Sequence, residues 1–223
     1  FDGSSIALVY EDDQLKRAAT RGNGVEGDEI TANTRTIKSV PLHAAFSKFG
    51  IKKIELRGET VIELSVFHQL NEERSRLNEA LIRDGKKPLE PFKNARNTAA
   101  GTLRLKDPAE VSKRKLDVII YQLGYAEDAE GKDITDQIKG THTENLAWLQ
   151  SLGFRTSTND LALLEDIMDV EAHCRKWEVL RDTYPVDIDG MVVKVNESLQ
   201  QQLIGRTSHH PKWAVAFKFK ARQ

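Results

Sequence analysis

The sequence predicts an α+β fold in which antiparallel sheets are flanked by helices, and three observations carry that expectation. Short β-branched and aromatic runs with period-two alternation recur along the chain. Helical stretches fall between them irregularly, without the strict strand–helix alternation of a parallel doubly wound sheet. The last third holds two strands, at 187–195 and 213–220, and each carries lysine inside an apolar run.

Residues 5–11 and 15–20 read as a hairpin around Glu11-Asp12-Asp13, and a glycine-rich loop, Gly22-Asn23-Gly24-Val25-Glu26-Gly27, follows. A short helix is expected to begin near 30–33. Strand character returns at 54–64 with Arg57-Gly58-Glu59 at its centre. Residues 65–81 read as a helix with Phe67, Leu70, Leu77 and Leu81 near one face, stopped by Asp84-Gly85. Another strand is expected at 116–123, then a polar, turn-like excursion over 127–139. A helix over 143–152 has a threonine N-cap and Gly153 as its stop. A longer helix is expected over 161–180, with Ile167, Val170, His173, Cys174 and Trp177 on one face.

In the final strand Trp213, Val215, Phe217 and Phe219 alternate with Ala214, Ala216, Lys218 and Lys220. The first set is expected to face the core. The second combines small residues with cations, which suits a cleft where a ligand approaches the sheet. Lys194 lies in the other strand. Lysines on buried strands are costly unless an anion meets them, and phosphate is the natural candidate.

The 223 residues suffice for one large domain or two small ones. Net charge is −1, from 33 Lys+Arg against 34 Asp+Glu, so any phosphate-binding charge must be concentrated locally. The single Cys174 excludes an internal disulfide and a cysteine zinc knuckle, and reads as core. No apolar run approaches membrane-spanning length, so no membrane association is expected. The His209-His210 pair is a weak metal candidate, because adjacent residues rarely converge on one ion.

Several segments carry possible chemistry. Thr20-Arg21-Gly22-Asn23-Gly24 puts an arginine at a strand end before a loop whose backbone can approach a ligand, or it is a plain surface loop. The carboxylate of Glu59 can accept ribose hydroxyls or hold a metal, or form an edge-strand ion pair. Segment 92–104 packs Arg96, Arg104, two asparagines and several tiny residues together, presenting planar donors to phosphate or simply solvating a helix N-terminus. Strict alternation puts Asp189 and Lys194 on opposite faces, so either Gly190 marks a bulge or Asp189 enters the site from the strand entrance.

In order and wording these segments resemble the nucleotidyltransferase (adenylation) domain of bacterial NAD-dependent DNA ligases. Phe1-Asp2-Gly3 is similar to the end of the family's Lys-x-Asp-Gly motif. Thr20-Arg21-Gly22-Asn23-Gly24 resembles its Thr-Arg-Gly-Asp-Gly stretch, Arg57-Gly58-Glu59 its third motif, and segment 94–104 its Asn-Pro-Arg-Asn-Ala-Ala-Ala-Gly-Ser-Leu-Arg. Residues 187–195 and 213–219 resemble the fourth and fifth motifs. Asn23, Glu29, Ala95 and Thr98 depart from the usual pattern, and 76–89 looks longer than in many relatives.

The resemblance implies a nucleotidyltransferase (ATP-grasp-like) fold over 1–223 as one adenylation domain, with the nucleophilic lysine directly ahead of Phe1. It implies NAD as AMP donor, Mg²⁺, and nicked double-stranded DNA as partner of a cytoplasmic, nucleoid-associated monomer. Zinc is expected only in a domain outside this chain. Lys194, Lys218 and Asp189 take catalytic roles, with both lysines around the α-phosphate. Arg21, Glu59 and Tyr121 join the lysines in holding the cofactor. Arg96, Arg104 and Arg181 contact AMP or DNA phosphate, and Glu59 and Asp189 are possible metal ligands. The alternatives are an ATP- or GTP-using relative, such as an RNA ligase or mRNA-capping guanylyltransferase, and a non-catalytic nucleic-acid-binding module.

Overall fold

Asp12 and Asp13 both take positive φ, 51° and 65°. Two successive left-handed residues make the tight turn that matches strand twist, and aspartate tolerates it better than most residues. The turn joins β1 (Ser4–Glu11) to β2 (Gln14–Thr20) as the sequence predicts. The structure, a computed structural model, describes residues 1–21, 27–207 and 210–220. The glycine loop before Gly27, and His209, lie outside the described residues.

α1 (Thr31–Thr34) follows, where a short helix is expected. β3 (Lys53–Val61) pairs antiparallel with β1, and β4 (Asp117–Glu127) with β3, giving a four-stranded sheet in the order β2-β1-β3-β4. Ile6, Leu8 and Tyr10 of β1 and Ile54 and Leu56 of β3 are buried on one face, in the main core. There Tyr10, Phe46, Trp148 and Phe154 meet ring to edge, with centroids 5.4 to 5.8 Å apart. The Tyr10 hydroxyl donates to the Pro41 carbonyl at 2.6 Å, so its polar tip is satisfied inside that core.

α2 (Leu64–Arg83) has no fully buried residue. Leu64, Val66, Phe67 and Leu70 pack on the core, while Leu77 is half exposed, so the predicted apolar face is buried only in its first half. α3 (Ala95–Leu103) is capped by the Asn94 side chain, which accepts from the Asn97 amide, and α4 (Pro108–Lys113) by Asp107. α5 (His142–Ser151) begins with Thr141 as N-cap, because Glu144 closes a capping box with it.

α6 (Ile167–Leu180) starts later than the expected 161. Asp166 caps it, and the amides of Asp160 and Leu161 turn back onto the Ser157 carbonyl, so the preceding residues form a loop. Cys174 is buried as predicted, but Ile167 on the expected apolar face is exposed.

β5 (Gly190–Lys194) pairs antiparallel with β6 (Ala214–Lys218), with α7 (Ser198–Ile204) between them. Among the described residues, this ribbon pairs as a strand with neither edge of the four-stranded sheet. The expected core face of β6 needs correction in part: Phe219 is buried, but Val215 is 65% exposed and Trp213 and Phe217 only partly covered, because a two-stranded ribbon has too little opposing surface to bury both faces. A second apolar cluster of Val61, Ile119 and Val186, with Phe1 and Tyr184 against it, underlies this part of the molecule.

Candidate active site

Two glycines set the floor and wall of the site. A Cβ on Gly58 would lie 2.7 Å from the Ile119 carbonyl oxygen, so β3 and β4 can close beside Glu59 only around a glycine. Gly190 is likewise pressed against the Phe217 carbonyl, which admits β6 alongside β5. The Asp2 amide donates to the Asp187 carbonyl at 2.8 Å and fastens Phe1 between sheet and ribbon.

Between sheet and ribbon run two adjoining clefts that share Phe1, Glu59, Gly190, Met191 and Val192. The larger, about 480 Å³, is mainly apolar and includes Tyr121, His142, Leu146, Trp177, Tyr184 and Lys194. The smaller, about 250 Å³, is lined by the polar residues Asp2, Arg96, Asp189 and Lys218, with Ala216 and Phe217, besides the shared residues.

The two lysines are divided between them. In the ribbon register Gly190 faces Lys218 and Lys194 faces Ala214, so the lysines stand at opposite ends of one face. Four residues of strand separate them, about 13 Å. Rather than meeting around one phosphate-sized space, as the sequence suggests, their ammonium groups lie in different clefts, Lys194 against the Tyr121 carbonyl and Lys218 against Asp189.

Lys194 is only partly covered as a residue, yet its ammonium is deeply buried, and that burial pulls its pKa down to about 8. Its Nζ donates to the Tyr121 carbonyl at 3.2 Å, stands 3.5 Å from His142 Nε2 and lies 5.4 Å from the centre of the Tyr121 ring. Burial, reinforced by the Lys194 charge, lowers His142 to about 3, so its imidazole is neutral at physiological pH. Burial raises the Tyr121 hydroxyl, with Glu59 adding to it.

Lys218 is 68% exposed and ion-paired with Asp189. Burial alone would raise the Asp189 carboxyl, but the hydrogen bond and charge of Lys218 outweigh it and hold the group below its ordinary range. Asp189 precedes β5 and reaches the cleft from the strand entrance, without a bulge at Gly190. At the junction of the clefts, burial pushes Glu59 up against the opposing hydrogen bond from Ser5 Oγ at 3.1 Å.

Arg96, in the first turn of α3, lines the polar cleft and pairs with Asp2 at 3.1 Å. The other three candidates lie outside both clefts. Arg21 follows β2 with its amide on the Ser5 carbonyl; Arg104 pairs with Asp28 at 2.6 Å; Arg181 donates to the Lys220 carbonyl at 2.8 Å and lies over the Phe219 ring. The structure also brings in Phe1, His142, Trp177 and Tyr184, which sequence reasoning did not select as site residues. Phe1 is signalled by its place beside the expected nucleophile and the other three only by their aromatic character; their convergence depends on long-range packing.

Among the described residues, no group of three or more His, Cys, Asp and Glu side chains is placed to hold a metal ion. Glu59 and Asp189 do share the polar cleft, a donor set that fits Mg²⁺, which needs one or two carboxylates and takes the rest from water and phosphate. Among the described residues, no helix is long and apolar enough to cross a membrane.

Residues 1–222 match the family described as NAD-dependent DNA ligase adenylation domain. The chain is 48% identical over 223 residues to a protein named DNA ligase from Sulfurihydrogenibium azorense, covering all of this chain and 30% of that protein. It is 49% identical over 222 residues to a DNA ligase from Aquifex aeolicus (all of this chain, 29% of that protein) and 46% identical over 223 residues to one from Persephonella marina (all of this chain, 30% of that protein). It thus spans about 30% of the length of the curated relatives it matches. The clefted α+β architecture and the match along its length agree: the chain belongs to the NAD-dependent DNA ligase adenylation domain family.

Proposed function

We propose that residues 1–223 act as one adenylation domain, holding the AMP half of NAD while AMP is transferred to a lysine, within a protein that seals nicks in double-stranded DNA. The observation that carries this is the junction of an apolar cleft and a polar cleft holding Arg96 and Lys218 across Glu59, with Phe1 in the walls of both. A nucleotide has the same polarity, with a flat base at one end and an anionic phosphate at the other. The base takes the apolar cleft beside Tyr121, with Lys194 at its inner end. Glu59 accepts ribose hydroxyls at the junction. The α-phosphate lies toward Lys218 and Arg96, with Mg²⁺ at Glu59 and Asp189 supplying further charge neutralisation when bound.

The nucleophile is a lysine directly ahead of Phe1. Phe1 lines both clefts, which supports a place for the residue joined to its nitrogen at their edge. The deprotonated lysine amine attacks the α-phosphorus, forming a P–N bond as the P–O bond to nicotinamide mononucleotide breaks; the amine loses a proton. Lys218 lowers that amine's pKa by repulsion and neutralises charge on the phosphorus oxygens. AMP then passes to the 5′-phosphate of a nick, and the 3′-hydroxyl attacks that phosphate, sealing the strand and releasing AMP. The protein works as a cytoplasmic, nucleoid-associated monomer. The family match disfavours an ATP- or GTP-using relative or a non-catalytic module.

Peptide mapping of the full-length protein after incubation with NAD tests the assignment. The AMP adduct is expected on the lysine ahead of Phe1, while chain 1–223 binds AMP and gains no adduct. An adduct on any lysine within 1–223 overturns it.

A further inference from the structure

His142 is the first residue of α5, and the chain goes to some length to fix it. Its amide donates to the Asn196 carbonyl at 2.8 Å, and the next amide, of Thr143, donates to the Asn196 side-chain oxygen at 3.0 Å. Thr141 forms an antiparallel bridge with Glu197. The start of α5 is thus tied to the segment just past β5, two residues beyond Lys194. That tie carries the imidazole into the apolar cleft, with Nε2 at 3.5 Å from Lys194 Nζ.

An ammonium has three protons to place. One goes to the Tyr121 carbonyl, and a second faces His142 Nε2. The third is left for a ligand in the cleft. In so apolar a site, each proton lacking an acceptor is costly. An acceptor at Nε2 therefore fixes the orientation of the ammonium as well as its charge, and leaves it able to donate one hydrogen bond in one direction.

We infer that His142 is a positioning residue, whose neutral imidazole accepts a hydrogen bond from the Lys194 ammonium and aims the remaining N–H at a hydrogen-bond acceptor on the bound base. This deepens the proposed function and rests on the nucleotide role of Lys194 given there. The imidazole works in one tautomer, with its proton on Nδ1 and its lone pair on Nε2. Lys194 from β5 is the charge that acts on the ring; Tyr121 from β4 and Glu59 from β3 line the same cleft, and Asp160 stands on its outer wall, already engaged by the Tyr184 hydroxyl at 2.5 Å. Protonation of His142 would set two cations against each other, so the ring stays an acceptor through the physiological range.

Chain 1–223 and the variants His142→Leu and His142→Gln decide the matter by NMR titration of the Lys194 side chain and by AMP binding. In the parent chain, His142 is expected as the Nδ1–H tautomer down to below pH 5. His142→Leu removes the acceptor, lowers the Lys194 pKa further and weakens AMP about tenfold. His142→Gln restores an acceptor, with Lys194 titration near that of the parent chain and AMP binding within about twofold of it. Unchanged Lys194 titration in the leucine variant overturns the inference, as does a glutamine variant no better than leucine. If AMP fails to bind even the parent chain, the nucleotide role fails, while the Lys194 titration still judges the His142 contact. Amide spectra with native dispersion guard against misfolding.

Discussion

Lys194 and Lys218 sit on one face of one ribbon, four residues apart along its strands, yet their surroundings are opposite. Lys194 ends in an apolar cleft, against a carbonyl, an aromatic face and a neutral imidazole. Lys218 stands in the open, against the carboxylate of Asp189. The first is depressed by burial; the second holds a carboxylate ionised. The same side chain therefore does two jobs. A desolvated ammonium gives a directed hydrogen bond at a cost in stability, whereas an exposed, paired one is a charge that can exchange its carboxylate for a phosphate with little cost.

The contrast breaks most visibly at Lys218. Lys218→Ala in the full-length protein should slow AMP transfer from NAD by about 10²–10³-fold, the range seen when one preorganised charge-stabilising donor is lost. Quench-flow measurement of the protein-bound AMP reads this directly. Stability in urea should change by less than about 1 kcal/mol, since the lost pair is largely exposed.

Lys194→Met should do the reverse to stability. At neutral pH the parent chain keeps a buried ammonium whose folded pKa, about 8, lies below its ordinary 10.5. Between those values the unfolded chain binds more protons, so parent stability rises with pH across about 8 to 10.5, and below 8 the full cost of burying the charge is present. Removing the charge should stabilise the fold by roughly 2–3 kcal/mol at pH 7 and abolish that rise, as chemical denaturation at pH 7, 9 and 10.5 would reveal. A destabilised methionine variant would mean that the hydrogen bonds to Lys194 outweigh its desolvation.

The smallest effect sharpens the boundary of the site. Arg104 pairs with Asp28 outside both clefts. Arg104→Ala should leave AMP transfer within about twofold of the parent rate and stability within about 0.5 kcal/mol. A larger loss of transfer would extend the site beyond the two clefts.

Much of this arrangement is legible along the chain. The Asp12-Asp13 turn and the alternation of β1 and β3 are local statements, because turn geometry and pleat act between near neighbours. The run 161–180 misleads, because apolar spacing continues through residues that the Asp166 cap excludes from the helix. Val215 misleads for another reason: alternation says which residues share a face, not whether anything covers that face. Arg104 reads as a phosphate ligand from the composition of its segment and Arg181 from the family resemblance; in the fold Asp28 and the Lys220 carbonyl engage them.

The sequence by itself determined that two strands carry lysines inside apolar runs, that Glu59 stands beside a glycine in a strand, and to which family the motifs point. Only the tertiary structure decided that the lysines serve different clefts. Their separation comes from the antiparallel register that sets Gly190 against Lys218, and their different chemistry from α5, which brings His142 to Lys194 from 52 residues away. Register and burial are sums over contacts distant in the chain, and no local pattern of residues encodes them.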